Sequence, residues 1–138
     1  MPDNNTYCDP NVVFSVENFS CWGGGKSEVI LYSDGRLLTV DNRGTQTIVA
    51  TDTVLARDVE SFIIENSRRI LQLPDSDSSG MCFSDLCPHN LNFRGKKCSA
   101  YVRAAPGNEE LKFFYDEISR IIREHGYLKD HHLIMSQD

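Results

Sequence analysis

The sequence predicts an α+β fold, a largely antiparallel sheet with two helices on one face, in the order β-β-β-(β)-α-β-β-α. Three observations predict it. Short β-branched and aromatic runs separated by Gly- and Asp-rich turn signals fill the first part of the chain. Apolar residues at helical spacing replace them after residue 53 and recur near the C-terminus. Between the two helical stretches lie two further runs in strict alternation. Consecutive strands joined by tight turns pair antiparallel, and their apolar face is covered by the helices while the other face is expected to meet solvent.

The elements follow in order. Residues 12–19 mix Val and Phe with Ser15, Glu17 and Asn18, a strand composition that ends at the Gly23-Gly24-Gly25 run. Val29-Ile30-Leu31-Tyr32 and Leu37-Leu38-Thr39-Val40 flank Ser33-Asp34-Gly35, the clearest hairpin signal in the chain. A second turn signal, Asp41-Asn42-Arg43-Gly44, leads into residues 45–49, whose β-branched side chains extend the meander by one strand. Thr51, Asp52 and Thr53 are candidate caps of the first helix, in which Leu55, Val59, Phe62 and Ile63 share a face that Ile70 and Leu71 continue. Pro74 ends it, and residues 75–80 form a Ser- and Asp-rich loop.

Leu91 and Phe93, then Cys98, Ala100 and Val102 across the Gly95 turn, alternate with polar residues as a second hairpin. Asn108 is the candidate cap of the last helix, with Glu109 and Glu110 suited to its positive N-terminal end. Leu111, Phe114, Tyr115, Ile118, Ile121 and Ile122 form its apolar stripe, and Gly126 is the natural stop. A chain of 138 residues suits one domain. Residues 1–10 and 129–138 are expected to be loose termini.

Composition narrows the classes of function. The formal charge of −6 argues against a general nucleic-acid binder, whose affinity rests on Lys and Arg neutralising phosphates. Arg94, Lys96, Lys97 and Arg103 make the only local basic group and read as solvated turn charges. No apolar run approaches the roughly 18 to 20 residues of a membrane span, so no membrane partner is expected. Five cysteines, Cys8, Cys21, Cys82, Cys87 and Cys98, point to disulfides and to a secreted or periplasmic setting, with a cytoplasmic one as the alternative. Their odd number leaves connectivity open. Met1 followed by Pro2, Asp3, Asn4 and Asn5 is compatible with a start appended after removal of a signal peptide.

Each motif has a functional and a structural reading. Ser20-Cys21-Trp22-Gly23-Gly24-Gly25-Lys26-Ser27 approaches the phosphate-binding Walker A pattern, with Ser20 in place of its first glycine. A phosphate cradle needs a helix to begin at the Lys-Ser pair, whereas residues 28–32 read as a strand. The structural reading is a strand connection in which Trp22 either folds onto the core or stands out as an interface anchor. Cys82, Cys87, His89 and Cys98 include the ligand types of tetrahedral zinc at a poor spacing, and no metal or cofactor is expected. His125, His131 and His132 lack a metal-binding or catalytic spacing, and His125 suits the negative end of a helix.

The Gly-rich turn, the segment Leu31-Tyr32-Ser33-Asp34-Gly35-Arg36-Leu37, the Leu73-Pro74 break and the second hairpin before a closing helix together resemble the emfourin family. That resemblance runs from about Val12 to Glu124 in element order, and its specific part is the Gly-Gly and Ser-Asp-Gly turns. It implies a small inhibitor of thermolysin-like metalloproteases that docks through loops and performs no chemistry. The cysteines and the segment 75–89 depart from that pattern, so no inhibitory position carries over. The expected function is a non-catalytic protein-binding domain whose partner is another protein, with a protease as the specific candidate. Its candidate contact residues are Phe19, Trp22, Gly23, Gly24, Gly25 and Lys26. The alternatives are a cysteine-based metal or redox module and a structural subunit of a larger assembly.

Overall fold

A computed structural model describes residues 11–19, 26–41, 43–73, 88–101 and 108–128. Strands β1 (Val12–Phe19), β2 (Lys26–Tyr32), β3 (Arg36–Val40), β4 (Gln46–Thr51), β5 (Pro88–Phe93) and β6 (Lys96–Tyr101) form one sheet in the order β4-β3-β2-β1-β5-β6. Every neighbouring pair is antiparallel. Helices α1 (Thr53–Glu65), α2 (Ser67–Leu71) and α3 (Asn108–Glu124) complete the α+β fold. The class and the strand order along the chain, including the fourth strand, are those the sequence predicts.

Local chemistry fixes the turns. Between β2 and β3 the Gly35 N–H donates to the Tyr32 carbonyl at 2.9 Å, and the Asp34 carboxylate accepts the Arg36 N–H at 3.1 Å. Between β3 and β4 the Gly44 N–H reaches the Asp41 carbonyl at 2.9 Å while the Asp41 N–H donates to Thr45 at 3.0 Å. The β5–β6 link is a two-residue turn with φ of 50° at Arg94 and 100° at Gly95, the twist that suits a tight hairpin. Asn92 Oδ1 closes it by accepting the Gly95 N–H at 2.6 Å.

Pairing register builds the core. Leu37, Leu31, Phe14 and Phe93 lie side by side across β3, β2, β1 and β5, and Val29, Val16 and Leu91 form the next row. Onto these rows pack Leu55, Ala56, Val59 and Ile63 of α1 and Leu111, Phe114, Tyr115, Ile118 and Ile122 of α3. Phe14 meets the Phe93 ring at 5.6 Å and the Tyr115 ring at 6.4 Å, so strand and helix interlock at the centre. The apolar stripes read from helical spacing are thus the packed faces, with Ile70 buried, Phe62 and Ile121 half-buried, and Leu71 an exception that is exposed rather than continuing the buried face.

Helix ends are closed by side chains and glycine. Asp52 Oδ1 accepts the N–H groups of Val54 and Leu55, both at 3.0 Å, satisfying donors that the first turn of α1 leaves orphaned. At the end of α3 the Gly126 N–H returns to Arg123 and the Tyr127 N–H to Ile122, with Gly126 at φ 97°. This is the paired closure that a left-handed residue after a helix permits. Asn108 is the first residue of α3 rather than a residue preceding it, a one-position difference of the kind helix boundaries tolerate.

Two expectations are corrected. The first helix does not run through to Leu71: Asn66 interrupts it, with both its backbone N–H and its side-chain amide turned onto the Phe62 carbonyl, and α2 starts afresh. The sheet face opposite the helices is also not uniformly solvated. Val12, Ile30 and Leu38 are buried there, together with Ser15, Glu17 and Asn92. The unbroken runs Val29-Ile30-Leu31 and Leu37-Leu38 are what strands buried on both faces require.

Candidate functional site

Phe19 and Lys26 end β1 and begin β2 and are the last pair of their ladder, next to Asn18↔Ser27. Trp22, Gly23, Gly24 and Gly25, which connect them, lie outside the described residues, as do Cys8, Cys21, Cys82, Cys87, His131 and His132. Register places the ends of this connection at the same end of the sheet as the Asp41–Thr45 turn, Pro88 and Tyr101. Lys26 and Ser27 open a strand, not a helix, so the helix N-terminus that a phosphate cradle needs does not follow this glycine run.

Cys98 stands in β6 opposite Leu91, and His89 stands in β5 opposite Ala100. They therefore occupy neighbouring register positions, while Cys82 and Cys87 of the same candidate ligand group lie outside the described residues. Among the described residues no three His, Cys, Asp or Glu side chains converge as metal ligands would. Of the basic group, Arg94 forms an ion pair with Glu60 of α1 at 3.1 Å, holding the β5–β6 turn to the helical layer.

At the other end of the sheet the fold assembles a polar cluster that spacing does not reveal. His125, just past α3, has Nε2 2.8 Å from Asp58 Oδ2 and Nδ1 3.6 Å from Asp52 Oδ2. The Tyr127 hydroxyl donates to that same Asp52 oxygen at 2.8 Å. The Asp52 N–H donates to the Gly35 carbonyl at 2.9 Å, which ties in the β2–β3 turn. Asp52 thus joins the start of α1, the end of α3 and a hairpin turn.

Electrostatics follow from this geometry. The Leu55 N–H, then the Tyr127 hydroxyl, hold the Asp52 carboxyl below its usual 3.8, and the nearby His125 acts in the same direction. The bond to Asp52 pushes the Tyr127 phenol above its usual 10.0, since ionising it would remove the donor and set two negative charges together. Each imidazole nitrogen of His125 faces a different carboxylate on a different side of the ring. The arrangement clasps two helix ends, and His125 and Asp58 also line the groove beside them.

An open groove of about 450 Å³ runs beside the clasp between α1 and α3. The half-buried Phe62 and Ile121 line it together with the carboxylates Asp58, Glu65 and Glu124. Arg120 bridges Glu117 at 2.7 Å and Glu124 at 2.9 Å, and these partners hold its guanidinium the more firmly charged. Much of the groove's charge is therefore already matched within the chain.

Apart from Val54, exposed beside Asp52 at the start of α1, the exposed large apolar side chains among the described residues lie elsewhere. Ile64, Leu71 and Phe113 stand 50%, 65% and 45% exposed where α1 and α2 meet the first half of α3. Arg69 stacks there over Phe114 at 4.9 Å and bonds Glu110 at 2.9 Å. Ile48 is 62% exposed on β4, at the edge of the sheet. No helix among the described residues is long and apolar enough to cross a membrane. No protein-family model, curated protein or solved structure matches this chain.

Proposed function

We propose that the chain is a non-catalytic protein-binding domain, and that its partner is a metalloprotease of the thermolysin-like class which it inhibits through the β1–β2 connection. The observation that carries the reading is the register of that hairpin. β1 and β2 stay paired to Phe19↔Lys26, so the intervening Ser20-Cys21-Trp22-Gly23-Gly24-Gly25 is tethered at both ends by the central strands of the sheet. A connection held by a fixed frame loses less freedom on docking than a free peptide does, and it carries the only tryptophan of the chain. The resemblance to emfourins supplies the inhibitor class. The His125 clasp, with both nitrogens directed at carboxylates, fits a scaffold role.

The test is a titration of the purified chain into a thermolysin-like protease with a peptide substrate. The expected result is stoichiometric loss of hydrolysis, with Trp22→Ala weakening inhibition by roughly tenfold or more at an unchanged melting temperature. Full protease activity at excess chain, or cleavage of the chain as a substrate, would sink the inhibitor reading. A sharp fall in melting temperature for Trp22→Ala would make that residue part of the core.

A further inference from the structure

The two edges of the sheet differ in their chemistry. β6, Lys-Lys-Cys-Ser-Ala-Tyr, carries two lysines of the kind that guard an edge against pairing with another chain. β4, Gln-Thr-Ile-Val-Ala-Thr, carries no charge and no proline, and Gln46, Thr47 and Ile48 are all exposed. Its hydrogen-bonding phase follows from the turn: Asp41 bonds Thr45, so pairing with β3 alternates to Thr39↔Thr47. The N–H and C=O groups of Gln46 and Ile48 consequently point away from β3, toward an edge that no other strand among the described residues pairs. The register irregularity between Leu37 and Leu38 sets Val49 outside the regular ladder, beyond this segment.

We propose that this edge pairs antiparallel with β4 of a second copy of the chain, about a two-fold axis at Thr47. That register sets Thr47 against Thr47 and Gln46 against Ile48 twice over, so the outward groups of each copy meet those of the other. Threonine pairs of this kind are favourable cross-strand neighbours. Chemistry selects a second copy over a charged peptide, because the segment offers no charge to recognise one and its own sequence satisfies the register from both sides.

The opposite face gives a second argument. Ile30, Leu38 and Ile48 are one row across β2, β3 and β4, with the first two buried at 3% and 6% and the last exposed. Pairing at Thr47 brings the two Ile48 side chains into diagonal contact and continues that row from one copy into the other. The pairing uses no residue of the β1–β2 connection, so this dimer stands or falls independently of protease inhibition.

The experiment is sedimentation velocity on the full chain in reducing buffer, from about 10 to 500 µM, a range suited to the weak association that a small interface gives. Reductant keeps cysteine cross-links from mimicking the dimer. The expected result is a concentration-dependent species of twice 15.6 kDa. Thr47→Lys, which sets like charges opposite each other on the axis, should raise the dissociation constant by roughly tenfold or more without changing the melting temperature. Ile48→Lys serves as the second variant if the first fails to fold. A monomer at every concentration, a dimer indifferent to both variants, or a monomer that instead takes an unrelated extended peptide on this edge would overturn the proposal.

Discussion

Replacing Gly35 by alanine tests how the β2–β3 turn and the start of α1 are joined. Gly35 has φ 98°, and a Cβ placed on it would lie 2.7 Å from the Asp52 carbonyl carbon, 2.7 Å from the Thr53 nitrogen and 2.9 Å from the Asp52 nitrogen. All three are backbone atoms of the helix start, so no side chain can swing aside. Gly95, at φ 100°, has open space around the same position. Both substitutions place an L-residue in left-handed backbone, at a cost of about 1–2 kcal/mol. Gly35→Ala adds steric overpacking of about 1–3 kcal/mol. It also strains the bond from the Asp52 N–H to the Gly35 carbonyl, a contribution of about 1 kcal/mol.

The expected loss is therefore about 3–6 kcal/mol for Gly35→Ala against about 1–2 kcal/mol for Gly95→Ala. At roughly 4 °C per kcal/mol for a domain of this size, the two melting temperatures should differ by about 10 °C. Thermal melts and urea titrations of both variants beside the parent chain measure this directly. Equal destabilisation, or a larger loss at Gly95, would refute the view that close backbone approach at Asp52 governs this junction.

The Asp52–Tyr127 pair gives a pH signature at both ends. Because the folded pKa of Tyr127 lies above 10.0, its contribution is present below that value and disappears as pH rises through the folded pKa. Because that of Asp52 lies below 3.8, its contribution is present above that value and disappears as pH falls through the folded pKa. Tyr127→Phe should flatten the alkaline limb and soften the acid one, and unchanged urea stability curves at both extremes would contradict the pairing. In the core, Phe114→Ala should cost about 3–5 kcal/mol. The adjacent Phe113→Ala, at a position 45% exposed, should cost about 1 kcal/mol or less, and chemical denaturation ranks the two.

Much of this fold is legible in the residues because helices and strands declare themselves locally. Short β-branched and aromatic runs between turn signals mark β1 to β4, alternation marks β5 and β6, the three-and-four spacing marks the buried faces of α1 and α3, and Asp52 starts a helix and Gly126 stops one through bonds to atoms a few residues away. The break at Asn66 has a local signal too, since its amide bonds the Phe62 carbonyl one turn back, but an apolar stripe carried across it conceals the interruption.

What only the tertiary structure decides is which distant pieces meet. Strand periodicity says nothing about which edge a later hairpin joins, and it is the fold that seats β5 against β1 to make β1 a central strand. Burial of Ile30, Leu38 and Glu17 on the second face depends on what covers it, a property of the whole chain. The clasp links His125 to Asp58 across 67 residues and Tyr127 to Asp52 across 75. Spacing reports which side of an element a residue occupies; its partner is set by where two elements end in space.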